Sequence, residues 1–160
     1  MIQPGRLDIG ADRWVACIRT FSFLGLDLSA ATFAAHIREL ADGSGSPLVN
    51  LGVAATASDE GIRLTYSGTD TIANHIAADR LSAVPDAINP DTAAAYTAED
   101  SVLLSHVSMR IHEATMEALP SPAEVGDDVE LVWDMHITPS GGIKDKYLGG
   151  TFTVRAGVTQ

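Results

Sequence analysis

The side chains of this chain that could do chemistry are five histidines, one cysteine and a surplus of carboxylates, 21 acidic residues against 10 basic ones in 160. The histidines are His36, His75, His106, His112 and His136. A zinc site on a helix needs two histidines one turn apart, as in HExxH, and none of the five stands at that or any other metal-ligand spacing. His36 and His136 take the polar positions of alternating segments, where a solvated histidine is the expectation. His106 and His112, the latter beside Glu113, carry the same reading. Cys17 lies inside the apolar run from Trp14 to Phe23 and reads as a small buried hydrophobe, with nothing nearby to activate its thiol. A serine nucleophile would need a GxSxG elbow, which the chain lacks. Asp42-Gly43-Ser44-Gly45-Ser46 lacks the lysine and the following helix of a phosphate loop. The acidic groups Asp59-Glu60 and Asp127-Asp128 with Glu130 lack the DxDxDG order of a calcium loop and read as solvated faces. Trp14 and Trp133 fall in inward registers, which suits core residues better than sugar platforms. The residues therefore predict no catalytic, cofactor-binding or metal-binding set, and no enzyme.

The elements that carry these residues read as strands. Val129-Glu130-Leu131-Val132-Trp133-Asp134-Met135-His136-Ile137-Thr138 alternates apolar and polar, with Val132 the one apolar residue on the polar side. Period two marks a strand with one buried face. Pro139-Ser140-Gly141-Gly142 is a turn, and Tyr147 to Val154 is the return strand, its paired glycines suited to a bulge or a close backbone approach.

Earlier in the chain, Met1 to Gly10 reads as an irregular lead-in and Trp14 to Phe23 as a first strand. Ala31 to Arg38 alternates, with Ala31, Phe33, Ala35 and Ile37 inward; Leu48–Val53 and Gly61–Ser67 follow as strands. Residues 68–100 break the rhythm with alanines, aspartates and two prolines. They read as an insert with short helices near Ile72–Ala78 and Asp91–Ala98, the second capped by Asn89. The pattern resumes at Ser101–Ile111, with Val107, Met109 and Ile111 inward. Glu113–Leu119 is a short helix stopped by Pro120 that crosses between two sheets. Lys144-Asp145-Lys146 is a charged flank that discourages edge pairing. The expected fold is all-β: an immunoglobulin-like antiparallel β-sandwich, one domain over 1–160, with a crossover helix and an irregular or partly helical insert.

Composition narrows the partners. A formal charge of −11 opposes binding to nucleic acid or to an anionic membrane surface. No long apolar run suits a membrane span, and the residues show no basic-then-apolar leader pattern for secretion, so synthesis in a cytoplasm is expected.

The closing residues resemble a known family. Ile111-His112-Glu113-Ala114-Thr115-Met116-Glu117-Ala118-Leu119-Pro120, Trp133-Asp134-Met135-His136-Ile137-Thr138, and Tyr147-Leu148-Gly149-Gly150-Thr151-Phe152-Thr153-Val154 with Val158-Thr159-Gln160 follow in the order of the immunoglobulin-like module at the N-terminus of phage upper baseplate proteins. Related small virion proteins end similarly. Leu26-Asp27-Leu28-Ser29-Ala30-Ala31-Thr32-Phe33-Ala34-Ala35-His36-Ile37-Arg38 is similar to their D-L-S/T-G-A-T-F-x-x-x-I-R segment, with Ala30 in place of glycine. The resemblance covers about two-thirds of the chain and leaves out residues 68–100. It implies a structural protein of a tailed-phage particle, in the tail, baseplate or fibre attachment, holding other virion proteins in multiple symmetric copies. Residues 68–100 and the sheet edges are the expected contacts. The rival readings are a capsid decoration or neck protein, and a carbohydrate-binding module.

Overall fold

The computed structural model describes residues 4–39 and 44–156. In chain order its elements are β1 (Gly5–Arg6), β2 (Ile9–Asp12), β3 (Cys17–Leu24), β4 (Thr32–Arg38), β5 (Val49–Leu51), β6 (Gly61–Thr71), α1 (Ile72–Ala77), β7 (Ile88–Asn89), β8 (Ala94–Ala95), β9 (Ser101–Ile111), α2 (Glu113–Glu117), β10 (Val129–Thr138) and β11 (Asp145–Arg155). The protein is mostly strand. One sheet runs β1-β11-β10-β4-β5, with β2 also on β11, and a second runs β3-β9-β6.

The alternation in β10 does what its period requires. Leu131, Trp133, Met135 and Ile137 are buried, and the residues between them are at least partly exposed. Phe33, Ala35 and Ile37 of β4 are likewise buried, as are Val107, Met109 and Ile111 of β9. These side chains, with Phe21, Ile62, Phe152 and Val154, form one buried cluster drawn from both sheets. Each large aliphatic or aromatic side chain in it contributes about 1.5–3 kcal/mol through burial. The helix α2 connects β9 of one sheet to β10 of the other, as its sequence predicts.

The structure corrects several expectations. Residues 5–12 are not an irregular lead-in. β1 and β2 both pair in parallel with β11, so the larger sheet is not purely antiparallel. Segments of two and four residues are too short to display a period, and a parallel partner at the far end of the chain leaves no local signature. Ile9 and Ala11 are buried by this pairing. Gly150 accommodates it: a Cβ there would collide with the Leu7 carbonyl. The bulge itself lies elsewhere, where Met135 faces Leu148 but His136 faces Lys146, leaving Tyr147 as the extra residue.

The strand after Gly61 does not alternate cleanly, because a second bulge at Thr65 shifts its register on β9. It also runs on to Thr71, so Gly68–Thr71 belong to the sheet. The helix expected near Ile72 forms as α1, where Thr71 caps it by accepting from the Asn74 amide at 3.2 Å. The helix expected over 91–98 does not form. Asn89 Oδ1 accepts from the Asp91 amide at 3.0 Å and Ala93 takes a φ of 55°, turning the chain into the small β7–β8 hairpin. An Asx turn offers the backbone a local alternative, and a short alanine run without a packing partner does not outcompete it.

The first long strand starts at Cys17 instead of Trp14. Just before it, Arg13 is buried and its guanidinium donates to the carbonyls of Leu119 at 2.6 Å and Pro120 at 2.5 Å. Those carbonyls belong to the segment leaving α2, and the Glu117 carbonyl at the helix's last residue accepts from the same guanidinium at 3.4 Å. Ala30 sits at a φ of 57°, the left-handed region that glycine adopts at least cost. No helix among the described residues is long and apolar enough to cross a membrane.

Candidate functional site

Three places on the surface gather residues with something to offer. The first lies on the outward face of the larger sheet. Register pairs His36 of β4 directly with Asp134 of β10, and His136 follows two residues on, so all three side chains leave one face. His36 Nδ1 donates to Asp134 Oδ1 at 3.0 Å, and His136 Nε2 lies 3.2 Å from the same oxygen. The two rings meet edge to face with centroids 5.7 Å apart. One ligand atom from each of the three residues lies within 4.8 Å of the others. The expectation that His36 and His136 are freely solvated is therefore corrected: their side chains are 16% and 26% exposed, and that of Asp134 is 21% exposed. Burial pushes His136 below the ordinary histidine range; Asp134 raises it again, and Lys144, His36 and Lys146 lower it. The bulge at Tyr147 is what puts Lys146 opposite His136.

The second place is on the other sheet. Ser22 Oγ hydrogen-bonds His106 Nδ1 at 2.9 Å across the β3–β9 pair. Tyr66 packs against His106 and the fully buried His75, both at 6.0 Å between ring centroids, and the Arg80 guanidinium lies 4.2 Å over the Tyr66 ring. Buried His75 meets the Val102 carbonyl through Nε2 at 3.2 Å. Desolvation lowers the pKa of His106; a backbone contact with Arg80 raises it, and the charges of His75 and Arg80 lower it. The groups that meet His106 here are a hydroxyl, two rings and a guanidinium, and the Asp70 carboxylate acts electrostatically on His75 and Arg80. The arrangement is a packed polar network over the sheet.

The third place is apolar. Trp14 and Val125 line a cleft of about 230 Å³ with Arg13, Pro122, Gly126 and Ala156. Trp14 is 52% exposed and Val125 97% exposed, so Trp14 is not a core residue as its sequence context suggests. Trp133 is one: it is buried, and its indole donates to the Leu7 carbonyl at 2.8 Å. Val15 and Ile18 next to Trp14 in the chain are exposed as well.

The remaining candidates are held by structural contacts. Cys17 is buried and its pKa is raised by desolvation, which keeps it an inert thiol. Asp59 is spent on the Thr56 amide at 2.7 Å, and Glu60 accepts from the His112 amide at 2.6 Å. Asp128 accepts from the Ala156 amide at 3.2 Å. The Asp42–Gly43 part of the glycine-rich loop and the terminal Val158–Gln160 lie outside the described residues. Sequence reasoning missed the convergence of His36 with Asp134 and His136, because His36 and Asp134 lie 98 positions apart in the chain and only pairing register joins them. No protein-family model matches the chain, and no curated protein is significantly similar to it.

Proposed function

We propose that this chain is a structural component of a tailed-phage particle, at the tail, baseplate or fibre attachment. In this reading its two sheets are those of an immunoglobulin-like sandwich, and it works through protein–protein contacts, doing no chemistry. The observation that carries the reading is the apolar surface around Trp14 and Val125, where a half-exposed indole and an almost fully exposed valine flank one cleft. Exposed aromatic anchors next to a pocket are what protein interfaces use as energetic centres. Ile88, 64% exposed at the β7–β8 hairpin, gives residues 72–100 an apolar contact of their own. The resemblance to baseplate modules supports the particular setting. Ala30, which replaces the glycine of the resembled segment, takes the positive φ that a glycine there would serve.

Electron microscopy of purified particles carrying a labelled copy tests the proposal. Label at the tail tip or fibre base supports it, label on the shell or neck favours the capsid-decoration reading, and unlabelled particles reject a virion role. The exposure of Trp14 also favours a second reading, a carbohydrate-binding module, since a sugar ring stacks on such an indole. A glycan-array signal that disappears in Trp14→Ala would establish that reading instead.

A further inference from the structure

We propose that His36, Asp134 and His136 form a binding site for a divalent transition-metal ion of the zinc type, joining β4 to β10. The three donors are two imidazole nitrogens and a carboxylate oxygen, the set found with an open fourth position in many zinc centres. Ligand atoms on a tetrahedral zinc, each roughly 2.1 Å from the ion, lie roughly 3.4 Å apart. The present separations from Asp134 Oδ1 are 3.0 and 3.2 Å, so the ion would replace two existing contacts with small side-chain movements.

The backbone already fixes most of this geometry. His36 and Asp134 are paired residues of adjacent antiparallel strands, and Asp134 and His136 share a face of one strand. Ala34, with only a methyl side chain, stands across from His136. The sheltering of the three side chains limits their rotamers before any ion arrives, which reduces the ordering cost of binding. Lys144 and Lys146 act on His136 from the next strand and its turn, and their charge opposes any cation. The donor set selects against calcium, which takes six to eight oxygens, and suits ions that bind through imidazole nitrogen.

The test uses tag-free, full-length protein and titration with cobalt(II), whose visible bands report four-coordinate nitrogen and oxygen ligation. One equivalent should bind, and zinc should displace it. Zinc at about 100 times its Kd should raise the melting temperature by roughly 5–10 °C, with no response to calcium. Asp134→Asn and the double variant His36→Gln/His136→Gln should lose the bands and the zinc response, while His112→Gln should keep both. Circular dichroism of the metal-free variants separates loss of ligands from loss of fold. Absence of cobalt bands in the unaltered protein, or bands of equal strength in a folded double variant, would overturn the proposal.

Discussion

The indole of Trp133 lies almost flat on the ring of Phe21, with centroids 5.6 Å apart and planes inclined by 20°. Phe21 belongs to β3 and Trp133 to β10, so this stack ties one sheet to the other through the middle of the core. Trp133 also holds the N-terminal segment, through its bond to the Leu7 carbonyl. Trp133→Ala should cost about 3–5 kcal/mol, because it removes a large buried side chain and leaves a cavity. Trp133→Phe should cost less, about 1–3 kcal/mol, since the stack survives but a backbone carbonyl loses its donor. Urea titration with an unchanged m-value measures both.

Arg13 fastens the chain before β3 to the segment leaving α2 by two carbonyls 106 and 107 residues away. Arg13→Ala should destabilise by roughly 1.5–3 kcal/mol, the range for hydrogen bonds from a charged donor. Arg13→Lys should restore less than half of that, because an ammonium cannot present the two diverging nitrogens of a guanidinium. Urea melts of the pair rank the two losses; equal stability of all three proteins would remove the anchoring role.

Ala30 occupies a backbone conformation that disfavours a Cβ. Ala30→Gly should raise stability by about 0.5–1 kcal/mol, the relief of the left-handed strain exceeding the entropy that glycine adds to the unfolded chain. A calorimetric melting temperature higher by roughly 1–4 °C is the expected result.

The protein should lose stability as the solution is made mildly acidic. Desolvation lowers the pKa of His106, which faces Ser22, Tyr66, His75 and Arg80, and also lowers that of His136. A histidine whose folded pKa lies below its unfolded value near 6.5 takes up its proton first in the unfolded chain. Its stabilising contribution is complete above about pH 6.5 and declines as pH falls from there toward the folded pKa. The carboxylates of Asp27, Asp59 and Asp70, lowered chiefly by hydrogen bonds to Ser29, Thr56 and Asn74, act in a separate window that opens only near pH 4. Melting temperatures at pH 7.5, 6.5 and 5.5 should fall in that order, and His106→Gln should flatten part of the slope.

Trp14 should behave in the opposite way to Trp133. Trp14→Ala removes a half-exposed ring and should change stability by no more than about 0.5 kcal/mol. Incorporation of the folded variant into particles should nevertheless drop sharply. Normal incorporation would move the contact surface away from the Trp14 cleft.

Much of the architecture was legible because burial imposes a period on a strand. The alternation through Leu131, Trp133, Met135 and Ile137, and the matching runs at Phe33–Ile37 and Val107–Ile111, identify their inward faces without any knowledge of partners. The short helix after Ile111 was legible from its residue types and the proline that follows. The fate of residues 91–98 was not, since the contest between an Asx turn at Asn89 and an alanine helix is decided by what packs against them. Trp14 and Trp133 show the same limit: both sit in apolar surroundings along the chain, yet one is exposed and the other lies inside.

The sequence by itself determined that the protein is mostly strand and which side of β4, β9 and β10 faces inward. These follow from residue type and from spacings of two, which are local. Only the tertiary structure decided the parallel addition of residues 5–12 to the last strand, the anchoring of Arg13, and the meeting of His36 with Asp134 and His136. Those depend on which strands become neighbours and in what register, and pairing between segments about a hundred residues apart leaves no trace in the order of either segment alone.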